Sequence, residues 1–277
     1  MRNPAAALVP SAAVPSLFLR SARSWTPAPG PPTEVRISIP LARRALALLV
    51  LTGGCFNSWQ PSTPEHPTVR LTAEEVTNGW RPLFDGATLL GWRIYHDGAP
   101  TRGWDVQDGT ITRVAGPGVG DLVTSETFAN FDLALDWKVA PGGNSGIIYR
   151  VDDSGDATYM TGPEMQVLDD ERHLDGKSPL TSAGAVYGLY PAPRGAVKPV
   201  GEWNTARIVL NGNHVEHWLN GTRIAEYELG SAEWTDKVAH SKFDAWKGYG
   251  RFSRGRIALQ DHGDVVSFRN IRIRVLP

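Results

Sequence analysis

Residues 205–229 read TARIVLNGNHVEHWLNGTRIAEYEL. Within this stretch, residues 205–210, 214–219 and 222–229 alternate apolar and polar side chains, and the segments 211–213 and 220–221 separate them. Asn-Gly pairs favour tight hairpin turns, because both residues tolerate a positive φ. The stretch therefore predicts three antiparallel strands in a meander.

The same alternation recurs along most of the chain after residue 80. Further strands are predicted at 92–95, 104–107, 110–114, 131–139, 145–151, 163–168, 183–190, 256–260 and 265–275. Helices are expected only at 71–78, where Thr72 and Glu75 have capping-box spacing, and around 232–243. Roughly a dozen strands with closely spaced turns and no βαβ alternation predict an all-β sandwich of two packed antiparallel sheets.

The predicted strand at 163–169, PEMQVLD, carries the densest group of polar side chains. Side chains on a strand alternate faces, so Glu164 and Gln166 point one way while Met165 and Val167 point the other. Asp169 has the wrong parity to join Glu164 unless a bulge intervenes.

Other polar residues lie on predicted neighbours of this strand. Asn144 and Arg150 lie on the strand just upstream, and Gln260 and His262 belong to a QDHG stretch near the end of the chain. A sheet that carries acids, an arginine and a histidine, in a chain with ten tryptophans, is typical of a carbohydrate site.

The N-terminal region has the pattern of a targeting segment. Arg43 and Arg44 precede the apolar run ALALLVL, which is followed by small residues and by Cys55, the single cysteine of the chain. The lone cysteine directly after small residues favours a lipoprotein signal with lipidation at Cys55, and the alternative is an ordinary secretory signal cut nearby. We expect a non-mature extension and signal peptide at 1–55, a linker at 56–78 and the folded domain at 79–277.

Charge and cysteine content exclude several classes of function. Residues 1–55 hold six of the 28 Lys and Arg but only one of the 29 Asp and Glu, so residues 56–277 carry a formal charge of −6. An acidic domain argues against a nucleic-acid partner. A single cysteine excludes a disulfide framework within the chain and a zinc site built from several cysteines.

Seven short motifs resemble, in the same order, those of the 3-keto-disaccharide hydrolase family. They are LFDG with GW at 83–92, NSGI with Arg150, GPEMQVLD at 162–169, GEWN at 201–204, WLNG at 218–221, LQDHG at 259–263 and FRNI at 268–271. The resemblance covers about residues 80–277. It implies a concanavalin A-like jelly roll in an extracytoplasmic bacterial enzyme, often a lipoprotein. It also implies cleavage of glycosides already oxidised at C3 by a separate sugar dehydrogenase, in some members by β-elimination and rehydration.

The candidate catalytic residues are Glu164, Asp169, Arg150 and His262. Removal of the acidic C2 proton of a 3-keto sugar needs a base near neutral pKa, and a histidine fits without tuning. Arg150 or a metal would stabilise the developing oxyanion. The structural alternatives are a Glu164–Arg150 ion pair between strands and a rim His262 hydrogen-bonded to the preceding aspartate.

The candidate substrate-binding residues are Asn144, Gln166, Tyr187, Trp203 and Gln260. Asn144 would donate to a sugar hydroxyl, or else only form a turn, and Trp203 would stack on a pyranose, or else fill the core. A divalent metal is left open. Glu164, Asp169, His262 and the aspartate before it offer suitable ligand atoms, but no spacing among them is diagnostic.

The sequence therefore predicts an enzyme of the cell envelope, periplasmic or on the outer membrane, that cleaves 3-keto-glycosides. Two alternatives stay open. One is ordinary glycoside hydrolysis by two carboxylates, for which Glu164 and Asp169 would stand about 5–5.5 Å apart. The other is a carbohydrate-binding module without turnover.

Overall fold

Thirteen strands and two short helices make up the part of the chain that the computed structural model describes, which is residue 69, residues 71–100 and residues 102–277. The strands are β1 (Trp80–Pro82), β2 (Trp92–Ile94), β3 (Trp104–Gln107), β4 (Thr110–Arg113), β5 (Leu122–Thr124), β6 (Phe131–Val139), β7 (Asn144–Val151), β8 (Glu164–Leu168), β9 (Asn204–Asn211), β10 (His214–Leu219), β11 (Thr222–Glu228), β12 (Arg256–Leu259) and β13 (Val266–Val275). The predicted signal peptide with Cys55, and residues 56–68 of the predicted linker, lie outside the described residues.

The strands form two antiparallel sheets. The larger sheet has the order β11-β10-β9-β6-β13-β4-β3, and β1 pairs with the end of β13. The smaller sheet has the order β2-β5-β12-β7-β8. The predicted all-β, concanavalin A-like jelly-roll sandwich is confirmed.

Hairpin turns occur where the Asn-Gly and Asp-Gly pairs predict them. Asp108 and Gly109 join β3 to β4 with φ values of 50° and 71°, and Asn220 and Gly221 join β10 to β11 with φ values of 51° and 82°. Positive φ at both central residues matches the right-handed twist of the flanking strands. The turn at Asn220 and Gly221, with the turn between β9 and β10 where Gly212 has a φ of 63°, gives the predicted meander of β9, β10 and β11.

Both predicted helices exist, and both are short. The first helix, α1 (Ala73–Thr77), begins with the predicted capping box between Thr72 and Glu75. The second, α2 (Ala232–Ala239), begins at the N-cap Ser231 and buries Trp234, and a 3-10 helix at Lys242–Ala245 follows it. Within the described part of the chain, no helix is long and apolar enough to cross a membrane.

One predicted strand is wrong, and two strands, β1 and β5, were not predicted. Residues 183–190 form only isolated bridges, from Val186 to Met165 and to Tyr190, because this segment folds back on itself beside β8. The short strand β5 carries only three residues, Leu122–Thr124, too few to give a clear alternation.

The core lies between the two sheets. Met165 and Val167 of β8 are fully buried there, as their parity predicts. Trp92, Trp104 and Trp137 are also buried in it. Trp218, in contrast, lies on the outer face of the larger sheet beside Arg207 and Arg223.

Candidate functional site

The outer face of the smaller sheet forms the floor of the candidate site. Gly146 of β7 pairs with Gln166 of β8, and the backbone N–H of Gln260 donates to the carbonyl of Gly146. Asp121, just before β5, continues the same row on the far side of β12. Three strand spacings of about 4.8 Å each separate Asp121 from β8, which leaves a floor of roughly 14 Å. A pyranose ring fits across that width.

Glu164 leans over this floor. A Cβ atom built on Gly146 would lie 2.1 Å from Oε1 of Glu164, so the carboxyl group occupies the space that a larger residue at position 146 would fill. Glu164 is only 6% exposed. Among the described residues, no salt bridge and no side-chain hydrogen bond engages its carboxyl group, so the predicted structural alternative, an ion pair with Arg150, is absent.

Burial raises the pKa of Glu164 to about 8. The nearby ammonium of Lys242 opposes this rise, whereas the carboxylates of Asp121 and Asp175 add to it. Desolvation dominates because an uncompensated carboxylate is costly in a buried position. Glu164 is therefore mostly protonated at neutral pH and can donate a proton.

A second group of polar residues lines one wall of the site. The Tyr187 hydroxyl donates to Oδ2 of Asp175 at 3.2 Å, and the ammonium of Lys242 lies 4.3 Å from the centre of the Tyr187 ring. Burial, with the charge of Asp175, raises the pKa of Tyr187 to about 12. No carboxylate of the described residues lies within salt-bridge distance of Lys242, so this exposed cation is available to a ligand.

Two histidines extend the same wall beyond Asp175, and Nδ1 of His173 lies 4.0 Å from Oδ2 of Asp175. The rings of His173 and His262 meet edge to face with 6.1 Å between centroids. The side chain of His262 is 51% exposed, and its Nδ1 lies 3.9 Å from Oδ2 of Asp264. Burial raises the pKa of Asp121, and the nearby His262 acts in the opposite direction. The imidazole of His262 is thus open to a ligand and close to the buried Asp121.

The hydrogen bonds of His173 assign the orientation of Asn144. Nδ1 of His173 accepts the backbone N–H of Asp175, so a neutral ring carries its proton on Nε2. Nε2 lies 3.4 Å from the amide of Asn144, whose oxygen is otherwise buried without a partner. With the amide oxygen facing His173, the Nε2–H of the neutral ring donates to it, and the amide nitrogen takes the other, buried position. Asn144 then belongs to this wall.

The loop that carries His262 is fixed by a buried ion pair. Asp261 accepts from Nε of Arg113 at 2.5 Å and from the backbone N–H groups of Val119 and Gly120. Both oxygens of Asp261 are therefore occupied, which rules it out as the hydrogen-bond partner of His262 and as a metal ligand. Its own backbone N–H donates to Oδ1 of Asp121.

Asp169 requires a correction. Its carboxylate accepts from the backbone N–H groups of Gly142 and Glu171 and from the guanidinium of Arg172. Although burial favours the neutral acid, these donors hold the pKa of Asp169 below its usual value. Five residues of strand, about 16 Å, separate it from Glu164. The predicted carboxyl pair at 5–5.5 Å does not form, because no bulge brings Asp169 onto the face of Glu164.

Arg150 and Trp203 also lie elsewhere than predicted. Arg150 turns away from Glu164 and donates from Nη2 to the carbonyl of Gly212, in the turn between β9 and β10. Trp203 lies on the larger sheet, where Arg269 and Lys138 stack on its ring at 4.0 and 4.8 Å. Neither side chain joins the walls described above.

Two further predicted residues, Gln166 and Gln260, lie at the floor of the site and differ in exposure. Gln166 points to the predicted face, but its amide donates to the carbonyl of Thr181 and it is 1% exposed. Gln260 lies beside Gly146 and is partly exposed. We expect Gln260 to be accessible to a ligand and Gln166 to support the floor from within.

The predicted metal-ligand set does not converge. Asp169 and Asp261 use their oxygens in the contacts described above. Among the described residues, the one group whose ligand atoms lie within 4.8 Å of one another is His214, Glu216 and Glu226. This group lies on the larger sheet and is bridged by Arg223, so it is separate from Glu164.

Four residues of the site were missed at the sequence level: Asp121, His173, Asp175 and Lys242. Asp121 follows a glycine-rich segment and starts a short strand, which is a weak signal. His173, Asp175 and Lys242 come from loops and 3-10 helices with no periodicity. Only their packing against β8 brings them to Glu164.

Comparisons with known proteins show the family of the chain. Residues 79–274 match the family model of the 3-keto-alpha-glucoside-1,2-lyase-like domain. Over 230 residues the chain is 38% identical to a protein of Bacteroides thetaiotaomicron named 3-keto-disaccharide hydrolase, covering 72% of this chain and 79% of that protein.

Two crystal structures of Parabacteroides distasonis proteins, whose names class them as candidate glycosyl hydrolases, have the same fold. One is 35% identical with a TM-score of 0.70, and covers 75% of this chain and 99% of the other. The second is 32% identical with a TM-score of 0.59, and covers 71% and 99%.

Proposed function

Because the chain belongs to the family of 3-keto-alpha-glucoside-1,2-lyase-like domains and is a glycoside-processing enzyme, we propose that it cleaves 3-keto-glycosides by β-elimination followed by hydration. The observation that carries the proposal is the buried, mostly protonated Glu164 on the same face as the exposed imidazole of His262. One group can give a proton while the other takes one, which elimination requires.

The first step removes the C2 proton of the sugar. The C3 ketone acidifies this proton, and neutral His262 accepts it. The electron pair of the C2–H bond moves towards the ketone and gives an enediolate. Lys242, with its unpaired ammonium near Glu164, is suited to stabilise the negative charge on the C3 oxygen.

The second step breaks the glycosidic bond. The electron pair of the enediolate forms a C1=C2 double bond as the C1–O bond cleaves, and Glu164 protonates the leaving oxygen. In the hydration step, Glu164 and His262 exchange their acid and base roles. The Glu164 carboxylate takes a proton from water, the hydroxide adds at C1, and the imidazolium of His262 returns a proton to C2. Both residues end in their starting protonation states.

The polar walls suit the sugar hydroxyl groups. Asp175 and Tyr187 supply an acceptor and a donor, and Asn144 with Gln260 supplies amides. Hydrogen bonds to a substrate hydroxyl give strong discrimination, since an analogue that lacks it leaves buried polar groups unpaired. We expect the sugar ring to lie over Gly146, where the floor has no side chain.

The test is incubation of the protein with 3-keto-trehalose and, separately, with trehalose, with and without a chelator. Cleavage of the 3-keto sugar alone supports the proposal, and deuterium at C2 of the product formed in D₂O marks proton removal. Cleavage of trehalose at a similar rate, or cleavage of the 3-keto sugar without deuterium incorporation, would contradict it. The chelator arm decides whether a metal takes part.

We also propose an envelope location, with a lipid on Cys55 and substrate supplied by a sugar 3-dehydrogenase. The support is the sequence pattern around Cys55 and the chemistry of the substrate, since a C3 ketone must come from oxidation of a hydroxyl group. Labelling of the full chain with a radioactive fatty acid should be lost in Cys55→Ser. Equal labelling of both proteins would contradict the anchor.

A further inference from the structure

A second cavity, of about 790 Å³, lies beside α2 and is separate from the floor under Glu164. Its size falls in the range of small-molecule sites. One wall is aromatic. Trp234 and Tyr249 stack with their planes 1° apart and 5.8 Å between centroids, and Phe243 stacks on Tyr249 at 4.2 Å. Trp246 adds a partly exposed ring.

The cavity also contains a buried cation without a counter-ion. Arg150 is 4% exposed and lines the cavity, and no acidic group of the described residues forms a salt bridge with it. Its Nη2 is held by the Gly212 carbonyl, whereas Nε is buried without a partner, and no hydrogen bond of the described residues engages Nη1. Burying an unpaired charge is costly, so such a group usually has a ligand or an ion as its partner.

Two further observations set Arg150 apart. Its backbone has a φ of 54°, an unfavourable conformation for a long side chain, at a point where β12 shifts register against β7. Strain of this kind clusters at ligand sites. The hydroxyl of Tyr249, itself 3% exposed, is also buried without a partner in the same wall.

The charge of the lining favours an anion. Lys247 and Arg251 line the cavity with Arg150, and Asp244 is its one acidic residue. None of these four side chains forms a salt bridge among the described residues. A guanidinium with free N–H groups binds a carboxylate through charge-assisted hydrogen bonds. The aromatic wall suits a ring, which stacks on Trp or Tyr.

We propose that this cavity is a binding site for a ring-bearing organic carboxylate, with the carboxylate on Arg150 and the ring on the aromatic wall. A uronic acid and an aryl carboxylate share this chemistry. The cavity shares no lining residue with the candidate site described above, although the charge of Glu164 acts on Tyr249 in its wall.

The test is calorimetric titration with two carboxylates, D-glucuronate and benzoate, each paired with its uncharged counterpart, D-glucose and benzyl alcohol. We expect at least one carboxylate to bind with saturation and its counterpart to bind at least tenfold more weakly. The probe that saturates identifies the ring. Saturation by neither carboxylate up to tens of millimolar, or equal binding of the uncharged partner, would overturn the proposal.

Variants locate the binding. Arg150→Met should lower the affinity for the carboxylate roughly thirtyfold or more, which is the scale for removing one partner of a buried charge pair. Arg81→Met, which removes a guanidinium from an exposed ion pair with Glu126, is the matched control and should bind like the parent. Unchanged binding in Arg150→Met would reject this site.

Stability separates a ligand role from a purely structural one. An uncompensated buried charge predicts that Arg150→Met melts no lower than the parent in the absence of carboxylate. If Arg150→Met does not fold, the test uses the variants Lys247→Met and Arg251→Met, which change exposed side chains. Each should weaken binding of the carboxylate without changing the melting temperature. Unaltered binding there would count against the site. Glu164→Gln should bind like the parent, so failure here is distinct from failure of the cleavage mechanism.

Discussion

Glu164 is the side chain whose environment most directly predicts a measurable pH dependence. Its pKa of about 8 in the folded protein arises from burial, and its proposed role requires the protonated form. Cleavage of a 3-keto-glucoside should therefore decline as the pH rises through about 8. If Glu164 acted instead as the base, the rate would rise over the same range, so the pH–rate profile decides between the two roles.

Removal of the acidic proton of Glu164 should greatly reduce the rate of cleavage. We expect Glu164→Gln to reduce cleavage by about 10²-fold or more, the usual contribution of a general acid. Exchange of the C2 proton in D₂O should persist in this variant, since His262 is intact. Glu126→Gln, at an exposed position, is the control. Parent-like turnover in Glu164→Gln would reject the assignment.

His262 should show the complementary behaviour. His262→Ala is expected to reduce cleavage by about 10²-fold or more and to abolish exchange at C2 as well, because the base for the first step is gone. His240→Ala, which removes an exposed imidazole on α2's C-terminal side, should leave both unchanged. Exchange at the parent rate in His262→Ala would show that another group removes the proton.

Strand β7 places a glycine where the site needs space. In Gly146→Ala the new Cβ would meet the carboxyl of Glu164 at 2.1 Å, so the flexible Glu164 side chain must move while the strand itself stays. A displacement of this size can cost up to about 10²-fold in rate. We expect a large loss of cleavage with little change in melting temperature.

Gly98→Ala is the matched control, since nothing lies within 4 Å of a Cβ at that position. Parent-like activity in Gly146→Ala would mean that Glu164 can leave its place over the floor without consequence. A large drop in melting temperature would instead assign the glycine to the fold rather than to the site.

The two sheets are joined by a buried polar contact that should make the whole molecule sensitive to acid. His217 of β10 lies in the core, with Nε2 2.9 Å from the Tyr149 hydroxyl of β7. Burial lowers the pKa of His217 to about 4. The unfolded chain takes up the proton first, so the stabilising effect of neutral His217 is present above about pH 6.5 and is lost as the pH falls towards 4.

The loss amounts to roughly 3 kcal/mol in the free energy of unfolding over that range. His217→Gln should therefore show a flatter dependence of unfolding free energy on pH between 6.5 and 4 than the parent, measured by urea denaturation. The exposed variant His240→Gln should follow the parent. Parallel curves for the parent and His217→Gln would contradict a neutral buried imidazole.

Local sequence patterns were sufficient to predict most strands and turns, and to predict which side chains of β8 share a face. Alternation and Asn-Gly turns predicted the meander of β9, β10 and β11, and strand parity placed Glu164 and Gln166 on one face with Met165 and Val167 in the core. These features depend on side chains a few positions apart, so their geometry is set by strand periodicity and turn chemistry. The capping box at Thr72 follows for the same reason.

The composition of the site was decided only by tertiary packing. Asp169 binds backbone N–H groups and Arg172 because strand β8 ends before it, and Arg150 turned to the Gly212 carbonyl at a register shift between strands. Asp121, His173 and Lys242 reached the site from loops whose paths depend on distant contacts, such as the Arg113–Asp261 ion pair. The direction of a side chain at a strand end or in a loop depends on what packs against it, and no period in the sequence records that.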